Sequence, residues 1–425
     1  MRKVFYSIFI AALFLFTSCQ KSIFESPTVS PTSLRDVPAL RLNYRFESDV
    51  PAPPESSEAG KPDERNAAVQ TDFDQNRPQE MLDKTVFSPD KQRVLAVYHR
   101  IDDVQAEFRL DMYSADGALI KRITYDGMAV HFPDTIVWSP DSKNVAFVGM
   151  LRALNPQPQA APNQTENPAN TSIDANANVN TENTNTAPTP LVDQPQAVLT
   201  LRTEQIYICG SDGENLKLLT QNDGLIYFYF VWSPDSSMLA ALASTIQEWR
   251  YLQYQADTKG EMFVPLGRPR LVETNGRERR LDDNLTKAHP VWSPDSAKVA
   301  AAFDTQVRVY DAIGNAPTQA AIPLRNPLLI SSKAYDEALQ RKEEGGDGNT
   351  APATDTNANQ PVSALPDEAS LVSFSPIIDL RWTEDKMLYL QTGYVKQFKN
   401  EAENVRSYLR WHRLIFSPQP VALAK

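Results

Sequence analysis

The sequence has few of the residues that build covalent or metal-bound scaffolds. Its 425 residues include two Cys and four His, so neither a disulfide framework nor a Cys- or His-based metal centre is expected. It contains no His-Glu-x-x-His, P-loop or Asp-x-Asp-x-Asp-Gly motif, and we expect no cofactor. The formal net charge of −11 argues against nucleic-acid binding, because that binding depends on neutralising phosphates. Hydrophobic residues make up 41% of the chain, which is enough for a substantial core.

The first 18 residues have the pattern of an export signal. A basic start precedes an uncharged apolar run over residues 4–16, which is shorter than the roughly 20 residues of a membrane-spanning helix. Phe16-Thr17-Ser18-Cys19 resembles the bacterial lipobox, although Leu is usual where Phe16 stands. The resemblance implies that Cys19 is acylated and begins the mature chain. The alternative is a plain signal peptide with an incidental cysteine.

The residues around the cysteine also bear on location. Gln20 is not the Asp that retains such lipoproteins in the inner membrane of enteric bacteria, which favours the outer membrane, facing the periplasm. Removing the signal would take away Arg2 and Lys3, leaving 40 basic and 53 acidic side chains, a net charge of −13. This charge disfavours general adhesion to anionic lipid and makes an acyl anchor more necessary.

Three segments are polar, rich in proline or of low complexity. Residues 19–80 are predicted to be a flexible tether, although the alternation Leu40–Phe46 could instead be a strand of the folded domain. Residues 152–197 and 343–367 are predicted to be disordered inserts, because they have too few apolar side chains to offset the entropy of ordering. Gly346–Ala351 matches a dinucleotide-binding pattern, but no strand precedes it and no helix follows, so we assign no nucleotide site.

A five-residue pattern recurs outside these segments, each time followed by a short apolar run. The copies are Val86-Phe87-Ser88-Pro89-Asp90, Val137-Trp138-Ser139-Pro140-Asp141, Val231-Trp232-Ser233-Pro234-Asp235, Val291-Trp292-Ser293-Pro294-Asp295 and the weaker Arg381-Trp382-Thr383-Glu384-Asp385. Ser-Pro-Asp favours a tight turn, in which Pro pre-sets φ and the Asp side chain accepts a backbone N–H. Each copy therefore predicts a β-hairpin. Consecutive apolar residues in its strands indicate sheets stacked on both faces.

These strings resemble the WD40-like repeats of the TolB propeller family, most fully over Gln205–Asp235. The resemblance covers most of residues 80–310 outside the insert and, more loosely, 370–425. It implies an all-β fold, a β-propeller over residues 81–425. The length suits about six four-stranded blades, of which five are marked by the motif. A sixth could come from Ile322–Ser332 or from the run at Leu40. The residues assigned to turns and to packing between blades are Asp90, Trp138, Asp141, Trp232, Asp235, Trp292, Asp295 and Trp382.

The repeats depart from the family at one position. The Gly that follows Ser-Pro-Asp in the family is replaced here by Lys91, Ser142, Ser236, Ser296 and Lys386. If this position needs a positive φ, each replacement costs about 1 kcal/mol. If the turns keep ordinary type I geometry, there is no such penalty. The sequence leaves both open.

No catalytic residues are assigned. The chain has no Gly-x-Ser-x-Gly nucleophile elbow, and no Ser or Cys is matched to any of its histidines, which are His99, His131, His289 and His412. Cys209 is interpreted as a buried free thiol. The aromatic run Tyr227–Phe230 is interpreted as a packed strand. The segment 249–254 is predicted to be a long inter-repeat loop whose Trp249 and Tyr251 bind a partner, because aromatic residues are enriched at interface hot spots.

The sequence thus predicts a non-enzymatic interaction scaffold anchored to a membrane of the cell envelope. The TolB resemblance implies binding to cell-envelope proteins such as peptidoglycan-associated lipoproteins. TolB proteins are soluble, so the lipid anchor departs from that family. The alternative is an enzyme or glycan-binding protein with its site in the central channel. A cluster of acidic or His side chains at the channel mouth would favour this alternative.

Overall fold

The computed structural model describes residues 33–54, 65–103, 107–151, 203–314, 317–343, 373–374, 376–396 and 407–418. The signal segment, Cys19, the insert predicted at 152–197 and all but residue 343 of that predicted at 343–367 lie outside these ranges. The described residues contain three α-helices: α1 (Ala67–Asn76), α2 (Ile246–Lys259) and α3 (Arg325–Glu343). Short 3₁₀ helices occur at Leu34–Asp36, Ala39–Arg41 and Pro133–Thr135.

The described strands form five antiparallel sheets, each containing one copy of the sequence motif. We call these sheets blades 1 to 5. The first of the described strands, β1 (Asn43–Val50), belongs to blade 5. Blade 1 contains β2 (Glu80–Phe87), β3 (Arg93–Arg100), β4 (Arg109–Ser114) and β5 (Leu119–Arg122). Blade 2 contains β6 (Met128–Val130), β7 (Val137–Trp138), β8 (Asn144–Leu151), β9 (Gln205–Gly210) and β10 (Lys217–Leu218).

The remaining blades repeat this plan. Blade 3 contains β11 (Leu225–Trp232), β12 (Met238–Thr245), β13 (Arg268–Glu273) and β14 (Glu278–Arg280). Blade 4 contains β15 (Val291–Trp292), β16 (Lys298–Phe303), β17 (Gln306–Asp311) and β18 (Gln319–Pro323). Blade 5 contains β19 (Ser373–Phe374), β20 (Ile377–Glu384), β21 (Met387–Lys396), β22 (Ser407–Ser417) and β1. In blades 2 and 5 the first strand is split, since β6 and β7 both pair with β8, and β19 and β20 with β21.

The all-β fold with four-stranded, propeller-like blades is confirmed, and the described residues form five blades rather than six. The two segments considered for a sixth blade are used elsewhere. Ile322 lies in β18, the outer strand of blade 4, and the helix α3 follows it. The run at Leu40 leads into β1, which pairs with β22 in the register Phe46↔Leu414 and completes blade 5.

The same pairing corrects the tether predicted over residues 19–80. Asn43–Val50 is a strand whose Phe46 packs against the core, and Ala67–Asn76 is a helix that packs on blade 1. The boundary predicted at residue 81 is also corrected, since β1 and α1 precede it and β2 begins at Glu80. The polar composition of these residues predicted a tether because few of their side chains are buried. The strand β1 lies at the outer edge of its sheet, and α1 buries only Val69 and Phe73.

Apolar clusters fill the space between consecutive blades from 1 to 5. Blades 1 and 2 share one, blades 2 and 3 another, and the pairs 3–4 and 4–5 have their own. The motif Trp residues pack at these boundaries. The indole Nε1 of Trp138 donates to the Val86 carbonyl at 3.1 Å, and that of Trp292 donates to the Val231 carbonyl at 3.1 Å.

The four Ser-Pro-Asp turns share one hydrogen-bond pattern. In the first, Ser88 Oγ donates to Asp90 Oδ1 at 2.6 Å and accepts from the Arg93 amide at 2.9 Å. Asp90 Oδ1 also accepts from the Gln92 amide at 3.0 Å. The same bonds recur around Asp141, Asp235 and Asp295. The repeated Asp residues thus stabilise turns.

The residue after the turn Asp has a positive φ in these four turns. The angles are 60° at Lys91, 61° at Ser142, 63° at Ser236 and 59° at Ser296. The amide of this residue donates to the carbonyl of the turn Ser, at 2.9 Å from Lys91 to Ser88, so it closes the Ser-Pro-Asp turn in the left-handed conformation that usually favours glycine. The three Ser side chains also bond across blades: Oγ of Ser142 accepts from the amide of Asp90, and Ser236 and Ser296 do the same for Asp141 and Asp235. These bonds offset the strain of the left-handed conformation.

Blades 1 and 5 differ from the repeat at the sides that would meet to close a ring. Blade 1 has Phe87 where the others have Trp, and blade 5 has Arg381 where the others have Val. Helix α1 covers the free side of blade 1, placing Phe73 against Tyr98, with ring centroids 5.2 Å apart. Arg77, just after α1, contacts the buried carboxylate of Asp111 at 2.6 Å.

Candidate functional site

The segment 249–254, predicted as a loop, lies in helix α2, within blade 3 between β12 and β13. The helix has strong caps at both ends. Thr245 and Glu248 form a capping box, and Gly260 ends the helix with φ = 66°. The sequence contained this signal, since Thr245-x-x-Glu248 and Gly260 bracket an uninterrupted segment.

Trp249 fixes one side of α2 to the blades. Its ring contacts those of Phe228, Phe132 and Phe263, with centroids 5.5, 5.9 and 4.9 Å away. Phe228 is the bulged residue of β11, and Phe132 precedes the short helix in blade 2. Trp249 is thus a packing residue at the boundary of blades 2 and 3, which the sequence had assigned to partner binding.

An ion pair fixes the first turn of α2. Arg268 of β13 donates from Nη1 and Nη2 to the two carboxylate oxygens of Glu248, at 2.7 and 2.6 Å. The hydrogen bonds from Arg268 lower the pKa of Glu248 to about 2, against the opposing effect of burial. Glu248 therefore stays ionised at neutral pH and holds the helix to its own blade.

The outer side of α2 presents aromatic side chains to solvent. Tyr251 is 61% exposed and Tyr254 is 69% exposed. Spaced three residues apart on one helix, they lie on the same face. Met262, in the segment after the helix, is 86% exposed. We call Tyr251, Tyr254 and Met262 the α2 surface. It combines a rigid backbone with apolar side chains that have no covering element among the described residues.

A second group of side chains lies in or just before the first strands of blades 3, 4 and 5. Tyr229, His289 and Asp379 each stand six residues before the Asp of their motif. The first strand is the edge strand of each sheet, and in a propeller this edge lines the central channel. The rings of Tyr229 and His289 stack with centroids 3.7 Å apart and planes 8° from parallel.

The charge of Asp379 acts on both rings. Burial, with a further contribution from the Asp379 carboxylate, raises the pKa of Tyr229 to about 12. Burial lowers the pKa of His289 below its ordinary value, and Asp379 opposes this shift. His289 nevertheless remains exposed to solvent, as expected of a side chain on the wall of a channel. The group offers a neutral imidazole, a phenol and a carboxylate, to which Arg381 adds a guanidinium 3.4 Å from Asp379.

The other histidines have neighbours in their own parts of the fold. His99 Nδ1 lies 2.7 Å from Asp83, and His131 Nδ1 lies 3.2 Å from Glu204. His412 is buried in blade 5, with Nε2 2.9 Å from Thr392 Oγ1. Cys209 is buried in β9 and forms no disulfide within the described residues; burial raises its pKa to about 12. None of these forms a nucleophile and base pair.

Metal-binding clusters and membrane-spanning helices are both absent from the described residues. No group of three or more His, Cys, Asp or Glu side chains in these ranges is arranged to hold a metal ion. No helix in the described part of the chain has the length and apolar character needed to cross a membrane.

The fold and these surfaces define a propeller-like all-β protein with an exposed helical insert and a polar group on its inner strands. No family model matches the chain, and no curated protein matches it. Solved structures with similarity include an oligogalacturonate lyase in complex with manganese, with 11% identity, a TM-score of 0.31, and coverage of 79% of this chain and 65% of that one.

Two further structures come from other classes. Dipeptidyl peptidase 4 of Porphyromonas gingivalis has 9% identity and a TM-score of 0.35, with 77% of this chain and 39% of that one covered. A nidogen/laminin complex has 9% identity and a TM-score of 0.30, with 80% and 87% covered. The chain spans between about a third and two thirds of the first structures it matches. Values this low carry no argument about activity.

Proposed function

We propose that this chain is a lipid-anchored protein of the bacterial cell envelope whose propeller is a non-enzymatic scaffold for protein partners. The repeat resembles that of TolB propellers, which supports partners of the cell envelope such as peptidoglycan-associated lipoproteins. The lipobox-like sequence supports an anchor at Cys19, in a membrane that faces the periplasm.

The observation that carries the scaffold proposal is the way α2 is built. The helix is capped at both ends, fixed by the Trp249 aromatic cluster and joined to β13 by Arg268. This rigidity lowers the entropy lost when a partner binds. The Tyr side chains supply large contact areas with few rotatable bonds, which is typical of interface hot spots. The partner expected here is a protein with an apolar groove.

The test is capture of partners by the full-length protein after cross-linking in cells. Tyr251→Ala with Tyr254→Ala should reduce the yield of specific partners at least fivefold. Tyr125→Ala is the matched control, because Tyr125 is also an exposed tyrosine, at 55%, but lies outside the α2 surface. An unchanged yield with the double variant would contradict docking through α2.

The anchor has a separate test. Cys19→Ala should move the protein from the membrane fraction to the soluble fraction of the envelope and abolish palmitate labelling. Membrane association that is unchanged in this variant would contradict acylation.

One observation favours a second function, a ligand site in the channel. Tyr229, His289 and Asp379 bring aromatic and polar groups from three blades together, which is the kind of cluster that favours an enzyme or glycan-binding protein. Binding of envelope glycan fragments, measured by calorimetry, should weaken at least tenfold in Asp379→Asn and stay unchanged in Tyr251→Ala. No heat of binding at millimolar fragment would exclude glycan binding in the channel.

A further inference from the structure

A groove of about 390 Å³ lies between blades 3 and 4, on the face of the molecule that carries the Ser-Pro-Asp turns. Its walls come from the start of β12, the turn between β13 and β14, and the segment after β17. Strands alternate in direction, so these three positions are at the same end of the sheets as Ser233–Asp235 and Ser293–Asp295. Helix α2, which follows the far end of β12, lies at the opposite end.

One wall of the groove carries two guanidinium groups, those of Arg277 and Arg279. Arg279 Nη2 donates to the carbonyl oxygens of Asp311 and Ala312, at 3.0 and 3.1 Å. Its Nε is buried and has no hydrogen-bond acceptor. Among the described residues, Arg279 forms no ion pair with a carboxylate. Burial lowers its pKa, and the charge of Arg277 adds to this shift. A positive group held in this way is stabilised by an incoming anion.

The nearby carboxylates are already engaged. Asp311 accepts from Lys298 Nζ at 2.6 Å and from the Ala39 amide at 3.1 Å. Glu273 accepts from Asn275 Nδ2 at 2.9 Å and lies 3.7 Å from Arg277. The groove is lined by two guanidinium groups, Arg277 and Arg279, and by one carboxylate, Glu273. It therefore has a local excess of one positive charge, although the chain as a whole is acidic.

The other wall is apolar. Met238 and Ala312 line it, with Ile313 at 46% exposure. A groove that is cationic on one side and apolar on the other matches an amphiphile with an anionic head. A free inorganic anion would contact only the guanidinium wall. The carboxylates of an acidic peptide would likewise contact the guanidinium wall, and its acidic side chains would not cover the apolar one.

The chain reaches this face close to the groove. Arg35 Nη1 donates to the Asp295 carbonyl at 3.3 Å, and the Ala39 amide donates to Asp311, whose carbonyl also accepts from Arg279. Ser33, the first described residue, therefore lies beside blade 4 at the turn face. Cys19 precedes it by 14 residues, so even a fully extended chain allows a separation of at most about 50 Å.

We propose that this groove binds the phosphate headgroup of an anionic phospholipid through Arg279 and Arg277, in the membrane to which the protein is anchored. The inference rests on the acyl anchor at Cys19. Anchoring raises the effective concentration of headgroups at the turn face, so a site with low affinity for a single headgroup becomes occupied. The turn face then lies toward the membrane, and the α2 surface points away from it, toward protein partners.

The test uses the full-length protein in cells grown with ³²P-phosphate, with a photo-cross-linking amino acid at position 313. Irradiation should transfer label to the protein, and phospholipase should release that label. The same probe at position 254, on the opposite face, should give at least tenfold less. Arg277→Gln, which alters a side chain that is 60% exposed, should reduce the label at least threefold, and Arg279→Gln at least fivefold.

Palmitate labelling of the same samples separates the two hypotheses. If the unsubstituted protein incorporates no palmitate label, the anchor is absent and the proposed function as a lipid-anchored protein fails. Retained palmitate with equal phospholipid label at positions 313 and 254, or with cross-links from 313 to protein alone, overturns the headgroup site and leaves the anchor intact.

A second measurement distinguishes lipid from free phosphate. Purified full-length protein in neutral detergent is titrated with inorganic phosphate, with micelles containing phosphatidylglycerol, and with micelles containing phosphatidylcholine. We expect binding to the phosphatidylglycerol micelles at least tenfold tighter than to the others, dependent on Arg279. Equal affinity for inorganic phosphate would overturn the lipid assignment.

Discussion

The backbone N–H of Asp235 donates a hydrogen bond to Oγ of Ser296 at 3.0 Å and so joins the turn of blade 3 to the turn of blade 4. Ser296 has a φ of 59°, a conformation that usually favours glycine. The hydrogen bond between blades therefore compensates for the backbone strain at this serine. The same arrangement joins blades 1 and 2 and blades 2 and 3.

This bond can be separated from the strain by two substitutions. Ser296→Ala keeps the strain and leaves the Asp235 amide without its acceptor, so we expect a loss of about 1–2 kcal/mol in the free energy of unfolding. Ser296→Gly loses the same bond but relieves about 1 kcal/mol of strain, so it should cost less. Urea unfolding measures both. A glycine variant less stable than the alanine variant would contradict the explanation.

Gly117 should be required for α1 to pack on blade 1. Its φ is 91°, and a Cβ added there would collide with Ala68 of α1. We expect Gly117→Ala to cost about 2–4 kcal/mol, from strain and displacement of the helix together. Gly224→Ala is the matched control, since Gly224 has a φ of 93° but open space around it, and only about 1 kcal/mol is expected. Equal losses in thermal unfolding would argue against the contact.

Trp249→Ala should loosen α2 without unfolding the blades. The half-buried indole contacts three Phe rings, so we expect a loss of about 2–3 kcal/mol. Hydrogen exchange of the α2 amides should accelerate, while that of β16 stays unchanged. Tyr254→Ala, on the exposed side, should change stability by less than about 0.5 kcal/mol. Unaltered exchange in Trp249→Ala would show that the aromatic cluster does not hold the helix.

His412 should make the stability depend on pH. Burial, aided by the charge of Arg410, lowers its pKa to about 4 from an ordinary 6.5. As the pH falls below 6.5, the unfolded chain takes up a proton before the folded protein does. This part of the stability is therefore complete above pH 6.5 and is lost progressively toward pH 4, by about 2–3 kcal/mol. Urea unfolding at pH 7.5 and 5 should show a smaller difference in His412→Gln; an identical difference would contradict this role.

Cys209 should be unreactive in the native protein. Burial raises the pKa of its thiol to about 12, so almost no thiolate exists at pH 8. Labelling with iodoacetamide, followed by mass spectrometry of the peptide, should be more than tenfold slower than in urea. Rapid native labelling would mean that β9 opens readily.

The repeated Ser-Pro-Asp motif was sufficient to predict the blades, because a turn is a local structure set by adjacent residues. The sequence also located the position after each Ser-Pro-Asp where glycine is replaced. Only the tertiary structure showed that the Ser side chain at this position accepts a hydrogen bond from the turn of the neighbouring blade. Residues 40–50 show the opposite case. Their role depends on pairing with β22, more than 360 positions away, and short-range patterns contain no information about that partner.

By itself, the sequence determined the all-β class, the repeating hairpin, the turn residues and the five marked blades, since each follows from local conformational preference and apolar periodicity. The tertiary structure decided what depends on distant neighbours. It packed Trp249 against three Phe rings and left Tyr251 exposed. It also brought Tyr229 and His289 of different blades into contact, and set Arg279 beside the point where the chain leads toward Cys19. Such relationships arise from the packing of blades against one another, which no single repeat encodes.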